Sequence, residues 1–149
     1  MPLITEWDND QKTILRVTYQ PGWTWDEMED NLPLEREFLD GVDHPVDVIA
    51  DFRGTSLPPG AIARLPKIAS SPPYTHPNSG IVIMVGSPAF MEEVVGIYRR
   101  VFGQAGAKLT MVHDLDEARA KINEMLQTIR ESAEESTKSA DLSADQNHN

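Results

Sequence analysis

The chain of 149 residues contains no cysteine. That absence excludes a disulfide framework, thiolate zinc sites, iron–sulfur clusters and thiol nucleophiles together, so any chemistry must use oxygen and nitrogen groups. Long apolar runs are missing too. No window approaches the roughly 18 uninterrupted apolar residues of a membrane span, and the opening MPLITE has neither the basic region nor the apolar stretch of a signal peptide. A cytoplasmic location without membrane insertion is the expectation. Positive charge is scarce: 13 Lys and Arg stand against 24 Asp and Glu, for a net charge of −11 and a pI near 4.6. Such a surface is poorly suited to track nucleic-acid phosphates or to dock on anionic lipid. With 40% hydrophobic residues and a mean hydropathy of −0.40, enough apolar material remains for one modest core.

Motifs of catalysis and metal binding are also thin. The four histidines, His44, His76, His113 and His148, stand singly, without the i, i+4 or His-x-His spacing that metal sites favour. No Gly-x-Ser-x-Gly elbow supports serine-hydrolase chemistry. Gly86-Ser87-Pro88 opens a helix, but one glycine is no phosphate-binding fingerprint, and Glu92 and Glu93 in the first turns would repel phosphate. No cofactor and no metal are expected.

Hydrophobic periodicity organises the rest. Residues 13–19 alternate with β-branched side chains and read as a strand, with 3–7 as its hairpin partner across Asp8-Asn9-Asp10-Gln11. Thr24 with Glu27 three residues on forms a capping box, and Met28, Leu32, Phe38 and Leu39 suit one face of a helix ending near Gly41. Pro33 should kink or split it. Strands are expected over 46–52, 81–85 and 109–113, the second being a continuous apolar run that suits burial on both faces. Helices are expected over 61–69, bent at Pro66, and from Pro88, with Val94, Val95, Ile97 and Tyr98 in its stripe and Gly103 closing it. Asp114 caps a last helix with Ala118, Ile122, Met125, Leu126 and Ile129 inside. Residues 131–149 hold five acids, one lysine, no aromatic and Leu142 as the sole large aliphatic, which reads as a disordered acidic tail behind a domain of residues 1–130. The remaining 130 residues still carry 19 acids and 12 bases. The order β-β-α-β-α-β-α-β-α predicts an α/β fold: a small mixed, mainly parallel sheet with crossover helices and an N-terminal hairpin.

The run Val48-Ile49-Ala50-Asp51-Phe52-Arg53-Gly54, the Pro/Gly loop after it, the apolar strand 81–85 and His113-Asp114-Leu115-Asp116-Glu117-Ala118 together resemble the STAS-like domains of anti-sigma-factor antagonists, in their SpoIIAA-like branch. The resemblance covers roughly residues 3–130. It implies a small noncatalytic module that acts by being bound, by a protein partner or by a small apolar ligand. In the regulatory members a serine at the start of the short helix is phosphorylated; laid on that pattern, this chain has Gly60 there, which has no hydroxyl. The phosphoswitch is therefore expected to be absent by that route, with Thr55 and Ser56 nearby in the loop. Residues 48–54 also look like the phosphoacceptor strand of a response-regulator receiver. The first strand, however, ends Thr18-Tyr19-Gln20-Pro21, without the acidic pair that would hold magnesium, and His113 stands where a receiver has lysine.

Six residues stand out as candidates for contact with a ligand or partner. Asp51 ends a strand where open α/β sheets place functional groups, with Arg53 beside it. Tyr74 and His76 occupy a proline-rich loop over 70–80 that is longer than most connections. Trp23 and Trp25 flank Thr24, where they either face a ligand or partner, or place Trp23 as a hydrophobic staple on Met28. The favoured expectation is a binding module for a protein partner or small apolar ligand. The alternative is an enzyme or carrier with a small pocket at the strand C-termini formed by Asp51, Arg53, Tyr74 and His76.

Overall fold

The computed structural model describes residues 2–102 and 110–146. Residues 1–118 form one compact unit and residues 119–149 a second. The first holds strands β1 (Leu3–Trp7), β2 (Ile14–Tyr19), β3 (Val46–Asp51), β4 (Ser79–Val85) and β5 (Thr110–Val112), and helices α1 (Trp25–Asp40), α2 (Ala61–Ala69), α3 (Pro72–Thr75) and α4 (Pro88–Phe102). The fifth helix, α5 (Leu115–Gln146), begins in the first unit and constitutes the second. Among the described residues no helix is long and apolar enough to cross a membrane.

The sheet has the order β1-β2-β3-β4-β5, with β1 antiparallel to β2 and all other pairs parallel. Its hairpin is set by Asn9, whose Oδ1 accepts from the Thr13 and Ile14 amides at 3.0 and 3.2 Å, while Lys12 turns the chain at φ 58°. The remaining strands are added in one direction, so right-handed crossovers carry α1 to α4 over one and the same face. Side chains alternate along each strand. The registers Val17↔Ala50 and Ala50↔Met84 therefore align one set of side chains, including Leu15, Tyr19, Val48 and Val82, under the helices. Ile14, Ile49, Ile83 and Val85 point the other way and are buried, as is Ala118.

Thr24 caps α1 as its spacing predicts: the Glu27 amide donates to Thr24 Oγ1 at 3.2 Å, and Glu27 returns to it through its side chain, accepting from the Thr24 hydroxyl at 2.9 Å. Pro33 does not split α1, which runs unbroken to Asp40 and ends at Gly41. At α5, Asp114 accepts from the Glu117 amide at 2.8 Å, the expected cap.

Three expectations are corrected. The loop over 70–80 contains a helical turn, α3, opened by Pro72 and Pro73, whose fixed φ suits the first positions of a helix. Strand β4 is buried on one face only, because Val82 and Met84 border an internal space beneath the helices. In α5, Ala118 and Ile122 are buried but Leu126 and Ile129 are 45% and 58% exposed. Helix α5 runs through Gln146, past residue 130, and its residues 131–135 are exposed. Gly103, Leu109 and His148 lie outside the described residues.

Candidate functional site

Beneath the four helices, against the C-terminal half of the sheet face, lies a cavity of about 230 Å³. Its floor is Val17, Tyr19, Val48, Ala50, Val82 and Met84, the side chains that alternation turns towards the helices. Its roof comes from Met28, Leu32 and Glu35 of α1, Leu65 and Ile68 of α2, Tyr74 beside α3's prolines, and Val94, Ile97 and Tyr98 of α4. An engineered cavity of about 150 Å³ in another protein stays dry and takes up benzene, so this space exceeds one aromatic ring.

Aromatic residues are few, ten in the whole chain, and seven of them line this one space. Five of the seven form a continuous stack. Trp25 meets Trp23 edge-on with centroids 5.0 Å apart, Trp23 meets Tyr19 edge-on at 4.9 Å, Tyr19 stacks on Phe52 at 4.1 Å, and Phe52 stacks on Phe90 at 4.8 Å. Such pairs add about 0.5–1.5 kcal/mol each beyond area burial and hold the wall in one arrangement. Trp25 Nε1 donates to the Pro58 and Pro59 carbonyls at 3.1 and 2.9 Å, which fixes the loop before α2 to α1. A second tie joins the same helices: Glu29 accepts from Arg64 at 2.6 Å and from Lys67 at 3.1 Å, and these cations, Lys67 first, hold its carboxyl below the usual range. Trp23 Nε1 is buried with no acceptor among the described residues.

One charged residue lies in this apolar wall among the described residues. Glu35 is 3% exposed, and desolvation pushes its carboxyl up to about 7, with the Asn31 amide pulling the other way. The Asn31 side chain is itself positioned by donating to Thr5 Oγ1 at 2.8 Å. Glu35 in turn acts on two phenols. Tyr19 is raised well above its ordinary value by burial and by Glu35; Tyr74 is pushed up to about 12, by burial first and then by Tyr98 and Glu35. Tyr74 is 42% exposed and also lines the cavity, which places it at the rim.

The six sequence candidates divide. Trp23, Trp25 and Tyr74 meet at the cavity, and Trp23 shares a buried cluster with Met28, the contact a staple would make. Asp51 and Arg53 are elsewhere. Ala50 and Phe52 face the cavity, so Asp51 between them faces away, where its carboxylate accepts from Arg53 Nε and Nη2, both at 2.9 Å. His76 precedes β4 and so sits at the sheet's N-terminal edge. The Asn78 amide donates to its Nδ1 at 3.0 Å, which leaves Nε2 to donate to Asp40 at 2.7 Å. The pocket of Asp51, Arg53, Tyr74 and His76 at the strand C-termini is therefore not assembled. Gly60, opposite the phosphorylated serine of the resemblance, opens α2 at φ 92°, a conformation side-chain-bearing residues rarely adopt. Thr55 is tied into its turn by donating to the Phe52 carbonyl at 2.9 Å.

Glu35 and Asp47 escape the sequence reading. Glu35 had a signal: it follows Met28 and Leu32 at the i+7 position of the same apolar stripe, where a carboxylate is out of place. Asp47 had none. A register irregularity between Val46 and Val48 deprives the Ile81 amide of a strand partner, and Asp47 Oδ1 accepts from it at 2.8 Å. A side chain on Gly80 would collide with that carboxylate. Burial raises the Asp47 carboxyl, and this bond offsets part of the rise.

Comparison with protein-family models, with curated proteins and with solved structures finds no match to this chain.

Proposed function

We propose that this chain is a noncatalytic binding module that holds one small, largely apolar molecule between its helical layer and its sheet. The observation that carries this reading is the convergence of seven of the ten aromatic residues on one apolar cavity of about 230 Å³. A fold with few aromatics gains most by packing them against one another without a gap, since voids forfeit dispersion contacts. Here they surround a space, the common form of a small-molecule site. The STAS-like assignment belongs to the same proposal. It rests on the residues quoted for it, and a module acting by binding is what it implies.

Calorimetric titration with indole, toluene and octanol tests the reading. At least one should bind the folded protein saturably, and Ala50→Leu, which adds bulk to the cavity floor, should weaken that binding at least roughly tenfold with the circular dichroism spectrum retained. Failure of all three to bind the folded protein would overturn the proposal. So would unchanged binding by the Ala50 variant.

A further inference from the structure

A carboxyl placed in an apolar wall is costly unless something meets it. Glu35 is 97% buried, and among the described residues no lysine, arginine or histidine lines its cavity. The rest of the lining is of another kind: seven aromatic rings, Tyr19 and Tyr74 with their hydroxyls among them, while the Asn31 side chain hydrogen-bonds the carboxyl. Aromatic faces attract cations, most strongly in desolvated settings. A primary ammonium has three N–H donors and no acceptor, and a carboxylate with two phenols supplies three acceptor groups. An anionic ligand would meet the opposite: Glu35 itself, within a chain of net charge −11.

We infer that the cavity takes a small primary amine, its ammonium against Glu35, Tyr19 and Tyr74 and its apolar body among Phe52, Phe90 and Met84. This deepens the proposed function and rests on it, because the amine's body needs the same space. Glu35 supplies the charge and the two phenols orient it. Glu35 must be ionised to do so, and the groups that share its cavity or hydrogen-bond it do not titrate near neutrality: Tyr19 of β2 and Tyr74 of α3 are both raised, and Asn31 of α1 carries no charge. The Tyr98 phenol of α4 acts on Tyr74.

The test compares three probes of nearly one shape that differ in charge: phenethylamine, phenethyl alcohol and phenylacetate, titrated into the full chain by calorimetry. Phenethylamine should bind roughly tenfold more tightly than the alcohol at about pH 8, and phenylacetate most weakly. Lowering the pH to about 6 should weaken the amine by up to roughly tenfold and leave the alcohol unchanged, as Glu35 takes up its proton. Glu35→Gln should abolish the amine's preference while the alcohol still binds. The pH comparison uses the unaltered protein, so it decides even if the variant folds poorly. Equal affinities for amine and alcohol, tightest binding of phenylacetate, or a preference that survives Glu35→Gln would overturn the amine inference and leave the apolar-cavity reading standing. If none of the three binds, the amine inference falls, and the cavity reading falls with it only if indole, toluene and octanol also fail to bind.

Discussion

Two hydrophobic clusters share the helix-covered face of the sheet, and they are packed on different terms. Near the N-terminal ends of the parallel strands, Leu15, Leu39, Val46 and Val48 are buried to 0 or 1% and close tightly, with Trp7, Phe38 and Val42 packed at their edge. Near the C-terminal ends the cluster is aromatic: Tyr19, Trp23, Trp25, Phe52 and Phe90 retain 3–7% exposure and border the cavity. The strands are the same, and so is the helix above them. The difference lies in side-chain shape. Branched aliphatics interdigitate at crystal-like density, whereas flat rings held edge-on and stacked keep their mutual geometry and leave a space over the small Ala50. One end of the core closes on itself, and the other leaves a space beneath the helices.

The contrast is most severely tested along α1. Leu39→Ala, in the closed cluster, should lower stability by about 3 kcal/mol, within the usual 2–5 kcal/mol for a fully buried leucine. Leu32→Ala, one wall of the existing cavity, should cost about 1 kcal/mol, because its site already lacks part of its packing. Urea denaturation of both variants measures the gap, and equal losses would erase the distinction between the clusters.

Glu35 distinguishes the two ends electrostatically. Its folded value near 7 lies above the ordinary 4.5, so the native state binds the proton more tightly than the unfolded chain. Its contribution to stability is therefore fully present below about pH 4.5 and is lost as pH rises through about 7, a change on the order of 3 kcal/mol. Glu35→Gln should remove this slope and stabilise the fold by up to that amount at about pH 8. Denaturation curves across this range that are parallel for wild type and variant would show that the carboxyl is better solvated than its surroundings suggest.

Adding volume should give opposite signs at the two ends. Ala50→Val, into the cavity, should stabilise by about 1 kcal/mol; Val46→Ile, into the closed cluster, should cost about 1 kcal/mol or more through overpacking. Thermal melts separate the signs. The smallest effect is expected outside both clusters: truncation after Arg130 should change stability by less than about 0.5 kcal/mol, since residues 131–135 are exposed. A fall of many degrees in Tm would assign that segment a structural role.

Much of the fold was legible because its signals are local. The Thr24 and Glu27 capping box, the Asp114 cap, the alternation over 14–19 and the span Ala61–Ala69 follow from neighbours in sequence. Helix α3 was missed because its prolines read as breakers, although at a helix start they are favourable. The site was half legible. Trp23, Trp25 and Tyr74 were marked as residues costly to expose or set in a long loop. Strand parity, present in the sequence, already separates Asp51 from Ala50 and Phe52, and a loop that leads into a parallel strand must lie at its N-terminal edge, which removes His76 from the opposite end.

Periodicity, caps and turn residues, each a matter of contacts a few positions apart, decide which segments become strands and helices and which side of each turns inward. They give the α/β order, the mainly parallel sheet and the hairpin from the chain alone. Whether inward-facing side chains then meet or leave a space depends on distances between elements far apart in sequence, and so does the fate of a carboxyl in an apolar stripe. The cavity over Ala50, the convergence of the aromatic rings and the raised carboxyl of Glu35 were decided only there, because desolvation and packing depend on everything that surrounds a group.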